Sequence, residues 1–288
     1  MVVLATATTL EPMGMTIIGD SGVGKSSIVS LFANEANREF KNDKAVVKVL
    51  TKNVRTLKGI YASLLTALGD MAPAKGDELE KLDRIKALLT HLHVQMIIFD
   101  DFHHVVEHRG KEAARAIVDE IKMIMEEYKV ATVFVGIKSL AEVGLINEQI
   151  DTRYNAEVEI PSLNLKDVVG YNDFRAFVSS YIEHHEIEVD FDITSADNTY
   201  HLYAATRGIL RFVVNFIKSA KLFADLEKSK VVQKKHFQRV VESAALRHLR
   251  GSKGKGKTSK DADIYSNPRV QPFISSTKLV KEAMGIIK

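Results

Sequence analysis

The sequence predicts an α/β protein: a parallel sheet with helices on both faces, followed by a small all-helical unit. Three observations carry that reading. Through the first 161 residues, short β-branched runs alternate with stretches of helical periodicity, which implies parallel strands joined by helical crossovers. Between the first such run and the first helical stretch, Gly19-Asp20-Ser21-Gly22-Val23-Gly24-Lys25-Ser26 spells G-x-x-x-x-G-K-S, the pattern of a phosphate-binding loop. After Pro161, four helical stretches follow one another with no strand between them.

The elements fall in order. The first 14 residues are unpatterned, and Pro12 and Gly14 close them off. Residues 15–18 form an apolar run ending at the first glycine, and the residues after Lys25 take helical spacing. Strands are expected at 45–50, 94–99 and 130–135, with a short fifth at 157–160. Helices are expected at 56–68, 78–92 and 111–128, the first two separated by Gly69-Asp70 and Pro73. The helical unit reads as 167–184, 195–206, 209–226 and 233–248. Past Arg250 the chain becomes Gly-Ser-Lys-Gly-Lys-Gly-Lys-Thr-Ser-Lys, too polar to fold alone, and apolar residues at 273–287 are then suited to docking on a partner. The expected boundaries are a short N-terminal segment at 1–14, a nucleotide-binding core at 15–161, a helical unit at 162–249, and a flexible basic linker with a partner-binding segment at 250–288.

Composition narrows the classes. With 45% hydrophobic and 27% charged residues, the chain has the make-up of an ordinary globular protein. It contains no apolar run near the roughly 20 residues that span a bilayer, and its start does not read as a secretory signal. There is no cysteine, hence no disulfide framework and no thiolate metal site. A bacterial cytoplasmic location, with no membrane partner, is the expectation. The net charge of +3 permits nucleic-acid binding without arguing for it, so that case rests on local clusters.

The chemistry concentrates in two segments. In the loop, Gly19, Asp20, Ser21, Gly22, Val23, Gly24, Lys25, Ser26 and Ser27 are the expected contacts of ATP. The glycines let the backbone N–H groups face an anion, Lys25 reaches the outer phosphates, and the Ser26 hydroxyl sits on Mg²⁺. The helix that follows presents its positive dipole end to the same phosphate. Downstream, Met96-Ile97-Ile98-Phe99-Asp100-Asp101 is four apolar residues and two acids, the form of a Walker B strand. Asp100 is expected to hold Mg²⁺ through its water shell, and Asp101 to polarise the attacking water. A glutamate is usual at the second position, and aspartate is one methylene shorter. Slow hydrolysis is therefore expected, with the nucleotide acting mainly as a switch. His103, His104 and His108 make a poor metal site, because adjacent histidines point to different sides. They read as loop residues beside the γ-phosphate or on an oligomer surface.

The series GDSGVGKSS, IIFDDFHH, TVFVGIKSL, the TRY of residues 152–154 and ATRGILRF resembles the TniB/TnsC family over about residues 13–249. These are AAA+ ATPases that regulate DNA transposition, including those of CRISPR-associated transposons. The resemblance implies a P-loop NTPase fold of AAA+ type with a helical lid. It also implies an ATP-dependent ring or filament on double-stranded DNA that marks a target site and recruits transposase and target-selector proteins. By match to the family, Arg153, next to Tyr154, is the arginine finger that acts on a neighbour's nucleotide. Arg211 takes the sensor-2 position, with Arg207 its nearby rival. The sensor-1 position departs from the pattern, since Val135-Gly136-Ile137 offers no polar residue before Lys138 and Ser139. The short segment before the loop leaves adenine recognition unassigned.

Lys48, Lys52, Arg55 and Lys58 lie on or just after the second strand and at the start of the next helix. The corresponding region of the family looks inward at DNA, where such cations neutralise phosphates without reading bases. The other reading is a solvated face. The basic tail at Arg250, Lys253, Lys255, Lys257 and Lys260 is either a DNA tether or a linker, and the linker is preferred. Two rival functions remain open: a helicase loader of the DnaC/IstB kind or an origin-binding ATPase, and a scaffold ATPase that binds protein without DNA.

Overall fold

Five short strands pair side by side in the computed structural model of the chain. It describes residues 14–52, 54–105, 111–137, 156–243 and 271–286. Strands β1 (Gly14–Ile18), β2 (Val46–Leu50), β3 (Met96–Asp100), β4 (Ala131–Gly136) and β5 (Ala156–Glu159) form one parallel sheet in the order β2-β3-β4-β1-β5. Helix α1 (Lys25–Phe40) connects β1 to β2. Helices α2 (Leu57–Leu68) and α3 (Glu78–His91) connect β2 to β3, and α4 (Lys111–Tyr128) connects β3 to β4. The α/β class is thus as the alternating pattern predicts.

The period-2 alternation of strand side chains sorts the core into two layers. On one face α1 buries Val29, Ala33 and Ala36 against Ile17, Val46, Ile98 and Val133. On the other, Val47, Val49, Ile97, Phe99 and Phe134 meet Ile60 and Leu64 of α2, Ile85 and Leu89 of α3, and Ile121 and Met125 of α4. The helix starts are marked locally. The Thr56 hydroxyl accepts from the Gly59 N–H to cap α2, and Asp77 with Glu80 forms a capping box on α3. The loop between α2 and α3 is pinned by the buried Lys81, whose ammonium donates to the Pro73 and Lys75 carbonyls.

The chain divides after Pro161 into two units, 1–161 and 162–288. The second contains α5 (Val168–His184), α6 (Ala196–Thr206), α7 (Leu210–Leu226), α8 (Lys234–Glu242) and α9 (Thr277–Ala283). Its core joins Phe174, Leu202, Val213, Phe216 and Phe237. Two features differ from the expectation. A parallel bridge, Val189 to Val232, sits among the helices. The C-terminal residues expected to dock on a partner are also part of this unit: Phe273 is 2% exposed and stacks on Phe216 and Phe237 at 5.8 and 5.3 Å. Val280 of α9 is buried against Ala204. Among the described residues no helix is long and apolar enough to cross a membrane.

Candidate nucleotide site

The loop between β1 and α1 is shaped by what its glycines permit. Gly24, the residue before α1, has φ 98°, and no side chain caps the helix, so the N-terminal end of α1 is left to other acceptors. At Gly19 a β-carbon would lie 2.4 Å from the Ile160 carbonyl oxygen, and the Ile160 N–H donates to the Ile18 carbonyl at 2.8 Å. The end of β5 therefore presses on the loop where only glycine fits. Val23 is buried and fixes the middle of the loop, while Asp20 and Ser27 are exposed and Ser21 is also exposed. The Lys25 ammonium, 7% exposed, donates to the Gly19 and Asp20 carbonyls at 2.8 Å each. The cation is thereby held over the loop, on groups that a phosphate would compete with.

Opposite the loop, Asp100 ends β3 on the α1 side of the sheet and is 1% exposed. The Ser26 hydroxyl donates to Asp100 Oδ1 at 3.0 Å. Asp100 Oδ2 is buried and takes no hydrogen bond from the described residues, but the Lys48 ammonium stands 3.6 Å away. Lys48 also donates to Ser30 Oγ at 2.6 Å, and Ser30 in turn donates to the Ser26 carbonyl at 2.6 Å. Lys48, Ser30, Ser26 and Asp100 thus form a closed polar ring between α1 and strands β2 and β3. Thr51 adds a second tie, its hydroxyl and N–H both donating to the Asp100 carbonyl, at 2.7 and 3.0 Å.

This ring sets Lys48 apart from the other three expected DNA cations. Its side chain is engaged by Asp100 and Ser30, because it shares the α1 face with Val46, two residues earlier on the strand. Lys52, Arg55 and Lys58 remain exposed, just beyond β2 and in the first turn of α2. Ser30 and Thr51 are site residues that the sequence patterns do not single out. Helical spacing of four from Ser26 is the signal that could have found Ser30.

The donor set fits a magnesium ion. A hydroxyl that gives its proton to a carboxylate keeps lone pairs for a cation, and a buried carboxylate oxygen without a hydrogen bond is a ligand in need of one. The loop, Lys25 and the uncapped helix end likewise fit a polyphosphate.

Asp101 follows in the left-handed region, φ 59°, and its N–H donates to Asp100 Oδ1 at 3.0 Å. Its side chain is half-buried. The turn is tied to the next strand by the Phe102 N–H, which donates to the Val135 carbonyl at 2.9 Å. His103 is buried, and its ring lies 4.1 Å from that of His104. Among the described residues, no group of three or more histidines, cysteines or acids is placed to hold a metal ion by itself. Arg211 lies exposed in the first turn of α7, and Arg207 lies exposed at the end of α6 with φ 57°. Arg153, Tyr154, Lys138, Ser139, His108 and the basic tail lie outside the described residues.

Comparison with known proteins adds three findings. The model of a family described as bacterial TniB protein matches residues 3–162, more than half of the chain. A search of curated proteins found no match. Among solved structures, the chain is similar to the Aeropyrum pernix ORC1 protein in complex with DNA. The TM-score there is 0.64 and the identity 15%, over 96% of this chain and 77% of that one. It is also similar to the A. pernix ORC2 protein in ADPNP–ADP complexes, with TM-score 0.62 and 14% identity over 84% of this chain. Pyrobaculum aerophilum Cdc6p gives TM-score 0.55 and 14% identity, over 83% of this chain and 64% of that one. The chain spans only 65% of the ORC2 length. At such identities the likeness concerns the fold, a P-loop NTPase core with a helical C-terminal portion.

Proposed function

The chain belongs to the bacterial TniB protein family of AAA+ ATPases, and from that premise we propose that it is an ATP-dependent regulator of DNA transposition. In this reading it oligomerises on double-stranded DNA, marks the target site and recruits transposase together with a target-selecting protein. The observation that carries the nucleotide part is the convergence of Lys25, Ser26 and Asp100 at the mouth of the glycine loop.

Each residue then has a task. The loop backbone and α1 dipole bind the phosphates, and the Lys25 ammonium exchanges its loop carbonyls for their outer oxygens. Magnesium, when bound, supplies charge neutralisation on those oxygens, and Ser26 and Asp100 are the residues that would hold it. Asp101 orients and deprotonates the attacking water. Arg153 of a neighbouring protomer and Arg211 stabilise charge on the transferred phosphoryl group, so the site is complete only in an oligomer. Lys52, Arg55 and Lys58 meet DNA phosphates. A few contacts per subunit, repeated along an assembly, give tight binding from a nearly neutral chain.

Binding to a labelled duplex of arbitrary sequence tests the DNA part, in ATP and in ADP at several salt concentrations. Tight, salt-sensitive binding in ATP alone supports it. Nucleotide binding with no duplex binding in either state would instead favour a scaffold ATPase.

A further inference from the structure

Asp100 is a nearly inaccessible carboxylate whose counter-charge comes from the neighbouring strand. Its Oδ1 accepts from the Ser26 hydroxyl and the Asp101 N–H, each at 3.0 Å. Among the described residues, its Oδ2 has only the Lys48 ammonium, at 3.6 Å. An ionised group at 1% exposure is costly without a partner, and Lys48 supplies one on the flank of the two residues fitted to a divalent cation. That flank cannot be shared cheaply. An ammonium 3.6 Å from one carboxylate oxygen repels a dication brought to the same carboxylate. Lys48 also has somewhere to go: its side chain is 27% exposed, and its ammonium is already held by the Ser30 hydroxyl.

We propose that Lys48 is the resident counter-ion of Asp100, a positioning residue that holds the carboxylate aimed at Ser26 and yields it to magnesium when nucleotide arrives. It is therefore a tuner of magnesium demand and not a phosphate ligand. The inference rests on the nucleotide reading of the loop, and it is independent of DNA.

The test is the dissociation constant of a fluorescent ATP analogue for the full chain, measured with excess EDTA and with magnesium. Intact protein, Lys48→Met and Lys48→Arg are compared. The quantity read is the ratio of the two constants, which a merely structural role would leave unmoved. It is expected to rise roughly tenfold in Lys48→Met, the order expected when one charge is removed a few ångströms from a cation. In Lys48→Arg, which keeps the charge, it should stay within about twofold of the intact value. Without nucleotide, magnesium should raise the thermal midpoint of Lys48→Met and leave that of the intact protein unchanged. A ratio that is unchanged or lower in Lys48→Met overturns the proposal, and so does a ratio raised only because binding in EDTA weakens, which would make Lys48 a phosphate ligand. Lys48→Gln, which retains a donor for Ser30, gives the same readout should the methionine variant not fold. Intact protein that binds the analogue in neither buffer would overturn the nucleotide reading itself.

Discussion

Asp101 occupies a backbone conformation that few side chains accept. At φ 59° the β-carbon of an L-residue crowds the backbone, and aspartate and asparagine are the non-glycine residues that bear this best. Asp101→Asn therefore preserves the turn while removing the proposed base. Hydrolysis should fall by about 10²-fold or more, with ATP affinity within about twofold, as read by phosphate release and nucleotide titration. Equal turnover in the variant would remove Asp101 from the chemistry. Gly19 makes the complementary point. A methyl group there meets the Ile160 carbonyl oxygen at 2.4 Å, so Gly19→Ala must displace the loop or the end of β5. We expect at least a tenfold loss of nucleotide affinity and a destabilisation of about 1–3 kcal/mol in chemical denaturation. Ser26 and Asp100 were legible in the sequence because both belong to local patterns, one a spaced loop and one an apolar run ending in acid. The inward turn of Lys48 was not, because it depends on strand register. Lys48 pairs opposite Ile98, which places its ammonium near a carboxylate 52 positions along the chain.

Helices were largely legible from periodicity, since each buries one face, and the inner strands from continuous apolar runs, since the sheet is covered on both faces. The C-terminal segment was not, because Phe273 packs on residues of α7 and α8 that are far away in sequence. Phe273→Ala should cost about 3–5 kcal/mol in the stability of the helical unit. Removal of everything after residue 250 should lower its thermal midpoint as well. A truncation with unchanged stability would return the segment to the role of a partner-binding tail. The same docking depends on pH. His201 Nδ1 accepts from the Phe273 N–H at 2.9 Å, and its Nε2 faces the Thr277 hydroxyl at 3.2 Å, an arrangement that needs the neutral ring. Burial, with nearby Lys234, lowers the pKa of His201 from 6.5 to about 4. Because the folded value is the lower one, protonation favours the unfolded state. Stability is full above about pH 6.5, falls on acidification toward pH 4, and loses nothing further from this group below that. Glu227 acts in a separate, more acidic window. Hydrogen bonds from Lys235, His236 and Arg239 lower its pKa to about 2, so its contribution is present above 4.5 and is lost between there and 2. His201→Gln, which can still accept and donate, should abolish the first of these slopes in a pH series of melting curves and leave the second.

At the scale of the whole molecule, the proposed function joins a nucleotide site that one chain leaves incomplete to a DNA surface that is weak in one chain. Both gain from assembly. Replacing Lys52, Arg55 and Lys58 together with alanine should weaken duplex binding across all sequences. The salt dependence should become shallower by roughly 0.9 in logarithmic slope for each DNA phosphate that a bound protomer no longer neutralises. An unchanged slope would place DNA elsewhere. This scale was the least legible in the sequence, since the joint between protomers is written in no periodic pattern and its candidate finger, Arg153, rests on resemblance alone. The most direct measurement is imaging of the protein with linear duplex DNA in ATP, in ADP, and as Lys25→Ala in ATP. A nucleotide-switched assembly predicts rings or filaments on DNA only for intact protein in ATP. Isolated monomers in all three conditions, or the same assemblies in all three, would contradict it.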